Sequence, residues 1–341
     1  MKLYAKSLIT FLTVLIIVSS FSVFAQEEAS VQIPQSWLDA LADADPNSSA
    51  AIMRKYPDIP NDWSTEALVK AVQNGLLSGS DGKILPKDNL TRAQLATIMV
   101  RAFGATEEAD VSGFVDLSSD KWYYKNMAIS VAMGIFRGDG TGVIRPDDTI
   151  TRQEVFTVIS RAFSISGYDT SVLDSFPDKD DVADWAKDAT ASLIGNGYIS
   201  GSGGYINPKN PITRAEFAQV MKNLVDTYIN ESGVYSQAPS GNIVVRVPGV
   251  VFNKAKFSGD VFVGEGAGNS FTITDSSSND RIIIRGGKST VITGTYNNII
   301  VVGNGLYVDI SAASVVNFVN NSESTITYPQ SDESDSTLNN D

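Results

Sequence analysis

The sequence predicts a multidomain chain, an all-α repeat region followed by a small all-β domain. Three observations carry this. Thr91-Arg92-Ala93-Gln94, Thr151-Arg152-Gln153-Glu154 and Thr213-Arg214-Ala215-Glu216 are three copies of one helix-start signal, spaced by 60 and then 62 residues. Around them other residue types recur at fixed distances, the mark of internal repeats. Beyond Tyr228 the chain changes to β-branched clusters separated by Gly, Asn, Asp and Ser, the pattern of short strands.

At the start, Lys2 and Lys6 precede an apolar run from Leu8 to Val18, and Val23-Phe24-Ala25 offers a small-residue exit. Residues 1–25 therefore read as a secretory signal cleaved after Ala25, with an uncleaved anchor as the alternative. Residues 26–55 form a helical lead-in with two short helices, Ser36 to Ala44 and Ser48 to Lys55, broken at Asp45-Pro46.

The chain has neither cysteine nor histidine. That removes disulfide stapling, lipidation through cysteine, Ser/Cys–His triads, common zinc sites and imidazole acid–base chemistry. No phosphate loop or dinucleotide fingerprint is present, and the acidic runs at Asp139 and Asp178-Lys179-Asp180-Asp181 lack calcium-loop spacing. No metal and no cofactor is expected. The formal charge is −13, and loss of Lys2 and Lys6 makes it more negative still, so nucleic acid is not an expected partner. Residues 56–225 hold 16 basic and 22 acidic side chains whereas 240–328 hold six of each, which places a boundary near 230.

Each repeat opens on a turn, Tyr56-Pro57-Asp58, Phe114-Val115-Asp116 or Phe176-Pro177-Asp178, followed by Trp63, Trp122 or Trp185. Twelve residues on comes a glycine (Gly75, Gly134, Gly197), four later a second (Gly79, Gly138, Gly201), and the arginine lies six residues after a proline (Pro86, Pro146, Pro208). Apolar residues at helical spacing between Trp and Gly, such as Leu68 and Val72, predict one buried face, with the first glycine ending the helix in a left-handed cap. A glycine loop leads to the Thr-x-x-Glu/Gln capping box, where the second helix begins. The arginine at the first helical position faces the positive end of the helix dipole, at a cost of roughly 0.3–1 kcal/mol. Three repetitions of that cost suggest an anion held at the helix start. The competing reading is an ion pair with a nearby acid. From position alone the tryptophans read as core.

These turns, tryptophans, paired glycines and Thr-Arg boxes closely resemble the S-layer homology module, in three copies at 56–113, 114–175 and 176–230. The resemblance implies a three-pronged bundle that binds secondary cell wall polysaccharide, often through a pyruvate ketal, in grooves between the prongs. It implies that Arg92, Arg152 and Arg214 contact the carboxylate. Asp58, Asp116, Asp178, Trp63, Trp122 and Trp185 would line or support the grooves, and Gly79, Gly138 and Gly201 would let backbone approach the sugar. Gln94 and Gln153 depart from the module's Glu and Ala, and Gly201-Ser202-Gly203-Gly204 lacks an aspartate. Because the second and third boxes keep the glutamate, ligand is expected first near Arg152 and Arg214.

Residues 231–241 read as a linker and 242–328 as a β domain with eight clusters centred near Val251, Phe262, Thr272, Ile283, Val291, Ile300, Val308 and Val316. Glycines at or just past cluster ends favour a β-solenoid of three or four coils over a β-sandwich. Asp260, Asp275, Asp280 and Asp309 could furnish a hydrolytic carboxylate pair, but scattered turn aspartates are the simpler reading. Residues 329–341 read as a disordered acidic tail. The expectation is a secreted, non-enzymatic protein of the bacterial cell wall or surface, anchored through pyruvylated secondary polysaccharide or a peptidoglycan-linked glycan, with no membrane contact after signal cleavage. The alternatives are a carbohydrate-active enzyme on the same anchor, or a self-associating lattice subunit.

Overall fold

A computed structural model of the chain describes Ser36 and residues 45–329. The signal segment, most of the first lead-in helix and nearly all of the acidic tail lie outside the described residues. Seven α-helices are described: α1 Ser49–Lys55, α2 Thr65–Gln73, α3 Arg92–Phe103, α4 Tyr124–Ala132, α5 Arg152–Phe163, α6 Asp184–Gly195 and α7 Arg214–Leu224. Ser48 caps α1 through its hydroxyl. Gly75, Gly134 and Gly197 follow α2, α4 and α6 at φ 65°, 71° and 75°, the left-handed region where a side chain is disfavoured.

The packing pairs cross the sequence repeats. α3 packs on α4, α5 on α6, and α7 closes the circle on α2, so each prong joins the second helix of one repeat to the first helix of the next. At the centre the residues just before each box form a closed ring of backbone hydrogen bonds. Leu90 N–H donates to Ile212 O (3.0 Å), Ile212 N–H to Ile150 O (3.1 Å) and Ile150 N–H to Leu90 O (2.9 Å). All three side chains are fully buried, so the ring lies in apolar surroundings where an unmade hydrogen bond is most costly.

The β domain is a parallel solenoid of about six turns. One face stacks rungs through the registers Thr227↔Ile243, Ile243↔Val261, Val261↔Ile282, Ile282↔Ile299 and Ile299↔Phe318. A second face runs from β2 (Gly233–Tyr235) through β4 (Val250–Asn253), β7 (Ser270–Ile284) and β8 (Ser289–Val301) to β9 (Tyr307–Asp309) and β11 (Thr325–Thr327). A third, shorter face joins β5 (Lys256–Phe257), β7, β8 and β10 (Ala313–Asn320). β7 and β8 are long because they bend around corners, marked by register shifts at Ile273/Ser276 and Ser278/Arg281.

Two sequence expectations are corrected here. The solenoid has more turns than the three or four expected, because β1 (Thr227–Ile229), β2, β3 (Ile243–Val245) and β11 are three-residue strands too short to show alternation. The stretch 231–241 is not a linker: β1 begins three residues after α7 ends, and β2 lies within 231–241.

The solenoid docks directly onto the bundle. Val244, Phe262 and Ile283 belong to the bundle's core cluster, whereas their neighbours Ile243, Val245, Val261, Val263, Ile282 and Ile284 fill the solenoid interior. Strands buried on both faces explain the uninterrupted triplets Ile-Val-Val, Val-Phe-Val and Ile-Ile-Ile. Phe262 meets Phe163 edge-on, centroids 4.9 Å apart, and Phe163 in turn meets Phe103 at 4.9 Å. Around this apolar centre three solenoid arginines donate to carbonyls at helix ends. Arg246 reaches Asn74 O (2.8 Å) and Arg101 O (3.1 Å), Arg281 reaches Ser164 O (2.6 Å), and Arg285 reaches Met133 O (2.8 Å) and Arg161 O (3.4 Å). They satisfy the unpaired carbonyls of helix C-termini and complement the negative end of the dipole.

Candidate functional site: the grooves between prongs

Each capping box does two jobs. Glu154 Oε2 accepts from Thr151 N–H (2.9 Å) and its hydroxyl (2.7 Å), while Oε1 accepts from Arg92 Nη1 at 2.8 Å. Glu216 Oε2 accepts from Thr213 N–H (2.9 Å), while Oε1 accepts from Arg152 Nη1 at 3.0 Å. The arginine of one repeat is thus neutralised by the box of the next. The third position is different. Gln94 Oε1 accepts from Thr91 N–H (3.1 Å), which leaves the amide group as its other polar end, a donor that cannot accept from a guanidinium. Arg214 has no ion pair among the described residues; its Nε donates to Ile84 O (2.7 Å) and its Nη2 to Ser78 O (2.8 Å).

Burial lowers the pKa of all three arginines from the ordinary value. Glu154 and Glu216 offset this for Arg92 and Arg152. Arg214 relies on Asp88 and Asp58 at longer range. All three remain cations.

The helix-start N–H groups are not free for an anion, contrary to the sequence expectation. Arg92 and Ala93 N–H donate to Asp148 O and Pro146 O, Arg152 and Gln153 N–H to Asn210 O and Pro208 O, and Arg214 and Ala215 N–H to Asp88 O and Pro86 O. This loop-to-helix bonding accounts for the fixed Pro-to-Arg spacing. Arg92 Nε and Arg152 Nε also donate to loop carbonyls, Ile144 O and Ile206 O, both at 2.8 Å.

The turn aspartates clamp those same loops. Asp58 accepts from Ile84 and Leu85 N–H, Asp116 from Ile144 and Arg145, and Asp178 from Ile206 and Asn207, all between 2.7 and 3.1 Å. They hold Leu85, Arg145 and Asn207 in the left-handed region, at φ 56°, 54° and 52°, which is disfavoured without glycine. Gly79, Gly138 and Gly201 serve the loops too. A Cβ on Gly138 would lie 2.5 Å from the Phe114 ring, and one on Gly79 2.4 Å from the Tyr56 ring. Gly201 is confined in the same way by Tyr205 O and Phe176. Their bareness lets each loop close on its own opening aromatic.

The tryptophans lie at the surface and not in the core: Trp63, Trp122 and Trp185 are 60%, 64% and 56% exposed. Two line grooves. The first groove, about 330 Å³, holds Gly79, Leu85, Gln94, Arg101, Trp122 and Arg214 and has no carboxylate in its wall. The second, about 450 Å³, holds Arg92, Arg137, Arg145, Arg161 and Trp185, with Asp139 and Glu154 the acids present. At the third equivalent position Arg152 is paired with Glu216, and Asn223 stands where the other grooves have Arg101 and Arg161. Arg101, Arg137, Arg145 and Arg161 were missed in the sequence reading. The available signal was that Arg101 and Arg161 have no acid three or four residues away, in a chain rich in acids.

An aromatic plate beside guanidinium donors suits a sugar bearing an anionic group. The family model of the S-layer homology domain matches residues 55–96, 113–156 and 175–218. The chain is 33% identical over 186 residues to the surface-layer 125 kDa protein of Lysinibacillus sphaericus, covering 53% of this chain and 16% of that protein. It is 25% identical over 242 residues to the S-layer protein sap of Bacillus anthracis, covering 69% of this chain and 28% of that one. It is 28% identical over 176 residues to the exoglucanase XynX of Acetivibrio thermocellus, covering 50% and 16%.

Proposed function

The chain is a secreted cell-surface protein carrying three S-layer homology domains, and we propose that it anchors there by holding an acidic wall polysaccharide in its first two grooves. No helix among the described residues is long and apolar enough to cross a membrane. The observation that carries the reading is Arg214, a cation at an exposed tryptophan in a groove without an acid. The second groove keeps an excess of arginine over acid although Arg92 is paired. The third lacks both features and is proposed to stay empty. A pyruvate ketal supplies a fixed carboxylate on an otherwise neutral sugar, the chemistry a guanidinium beside an aromatic plate selects. Two weak grooves on one long polymer gain by effective concentration.

The solenoid is proposed as a displayed, non-catalytic part. In support, Asp260 of the four carboxylates considered above is held by Arg281 through Nε (3.1 Å) and Nη2. Sedimentation with purified cell walls tests the anchor. Arg214→Gln with Trp122→Ala is expected to reduce retention, Arg161→Ala likewise, and chemical removal of ketal pyruvate to abolish it. Undiminished retention after depyruvylation would exclude the carboxylate as the recognised group.

A further inference from the structure

A space larger than either groove lies elsewhere among the described residues. A cleft of about 610 Å³ lies where the ends of α4 and α5 meet the corner of the solenoid. Arg137 and Arg161 line both this cleft and the second groove, so the two spaces share one cationic lip. Neither guanidinium has a hydrogen bond or an ion pair among the described residues. The pKa of Arg161 is lowered by partial burial and then by the like charge of Arg137. Glu107 and Glu265 also line the cleft but are paired with Lys288 and Arg285. The lip arginines are therefore left to face it without a partner of their own among the described residues, and suit an anion or a strongly polar ligand there.

Past the lip the solenoid wall is polar. Asn269, Lys288, Asn304 and Asn321 stand at successive corners of stacked rungs. Asn304 uses its Oδ1 to accept from Glu323 N–H (3.1 Å), which leaves its amide donors open, and Lys288 reaches Glu107 at 3.2 Å in an exposed pair. Parallel rungs repeat every 4.7–4.9 Å, as a general rule. Asn269 and Lys288 precede register partners on adjacent rungs, and asparagine amides pair well with sugar hydroxyls, acting as donor and acceptor at once.

We infer that this cleft is a second carbohydrate subsite, formed jointly by bundle and solenoid, which takes the sugars adjoining the one in the second groove. The inference rests on the groove reading above and adds that the β domain extends the anchor's footprint. The polymer would cross from Trp185 over Arg161 and Arg137 to the asparagines.

The test is calorimetric titration of the full chain with wall polysaccharide fragments of graded length, comparing the wild type with Asn269→Ala/Asn304→Ala and with Lys288→Ala. These positions lie outside the groove, and unchanged thermal unfolding would show that the fold is kept. Affinity of the wild type is expected to rise about tenfold as fragments lengthen beyond those that fill the groove. The double variant is expected to bind the shortest fragments as the wild type does while losing that gain. Identical length dependence in wild type and variants would overturn the inference and leave the groove reading intact. Failure of every short fragment to bind the wild type would overturn both.

Discussion

Arg214 and Gln94 share a groove without the ion pair that joins Arg92 to Glu154 and Arg152 to Glu216. One amide in place of one carboxylate is all that separates a neutralised arginine from an available one. Gln94→Glu is therefore expected to complete the ring, adding about 1 kcal/mol of stability while weakening retention on cell walls. Denaturant unfolding and sedimentation of the same variant check the two halves, and a gain in retention would contradict the proposed role of Arg214.

Asp116→Ala should act on the fold. It strips acceptors from Ile144 and Arg145 N–H and releases a left-handed non-glycine residue, at a cost of about 2–4 kcal/mol. Chemical denaturation measures it. A variant that unfolds like the wild type yet fails to bind walls would instead make Asp116 a direct contact.

Phe262→Ala removes the solenoid's central contact with Phe163 and is expected to cost about 3–5 kcal/mol. The wild type is expected to melt in one calorimetric transition, since bundle and solenoid share a core. The variant is expected to show two, as the solenoid loosens from the helix ends.

With no histidine or cysteine, no side chain titrates at its ordinary pKa near neutrality, and stability should be flat from about pH 6 to 9. The alkaline side differs. Burial, aided by a 2.7 Å hydrogen bond to Asp147, pushes Tyr123 up to about 12, and burial also raises Tyr228 and Tyr296. A pKa raised in the folded state gives stability that is full below the unfolded value of 10.0 and is lost as pH climbs toward the folded value. Unfolding midpoints should therefore fall between pH 10 and 12, together with the rise of phenolate absorbance.

Much of this was legible in one sequence, because repetition supplied its own controls. The helix starts, the glycine caps and the three modules follow from spacing, whereas the triplets Ile243–Val245, Val261–Val263 and Ile282–Ile284 were read only as β-branched clusters, their burial on both faces appearing in the fold. The site was less legible for a physical reason. Fixed spacing marks whatever cannot vary, and here the loop clamps vary least: the aspartates, second glycines and prolines recur to hold loops against the neighbouring repeat. The residues that distinguish the grooves, Gln94, Arg145, Arg161 and Asn223, sit where the copies disagree. Gln94 was read as a weakened first box, because its consequence falls on an arginine 120 residues away, which only the folded circle brings close.

The closed exchange of helices bears on how the anchor carries load. A pull on the solenoid enters the bundle along the chain through β1 and α7, and α7 is packed on α2, which comes from the opposite end of the repeat sequence. Tension on the last repeat is therefore passed at once to the first, and the hydrogen-bonded circle of Leu90, Ile150 and Ile212 links both to the second. Such a tether cannot be peeled away one repeat at a time; it yields only when the whole ring opens.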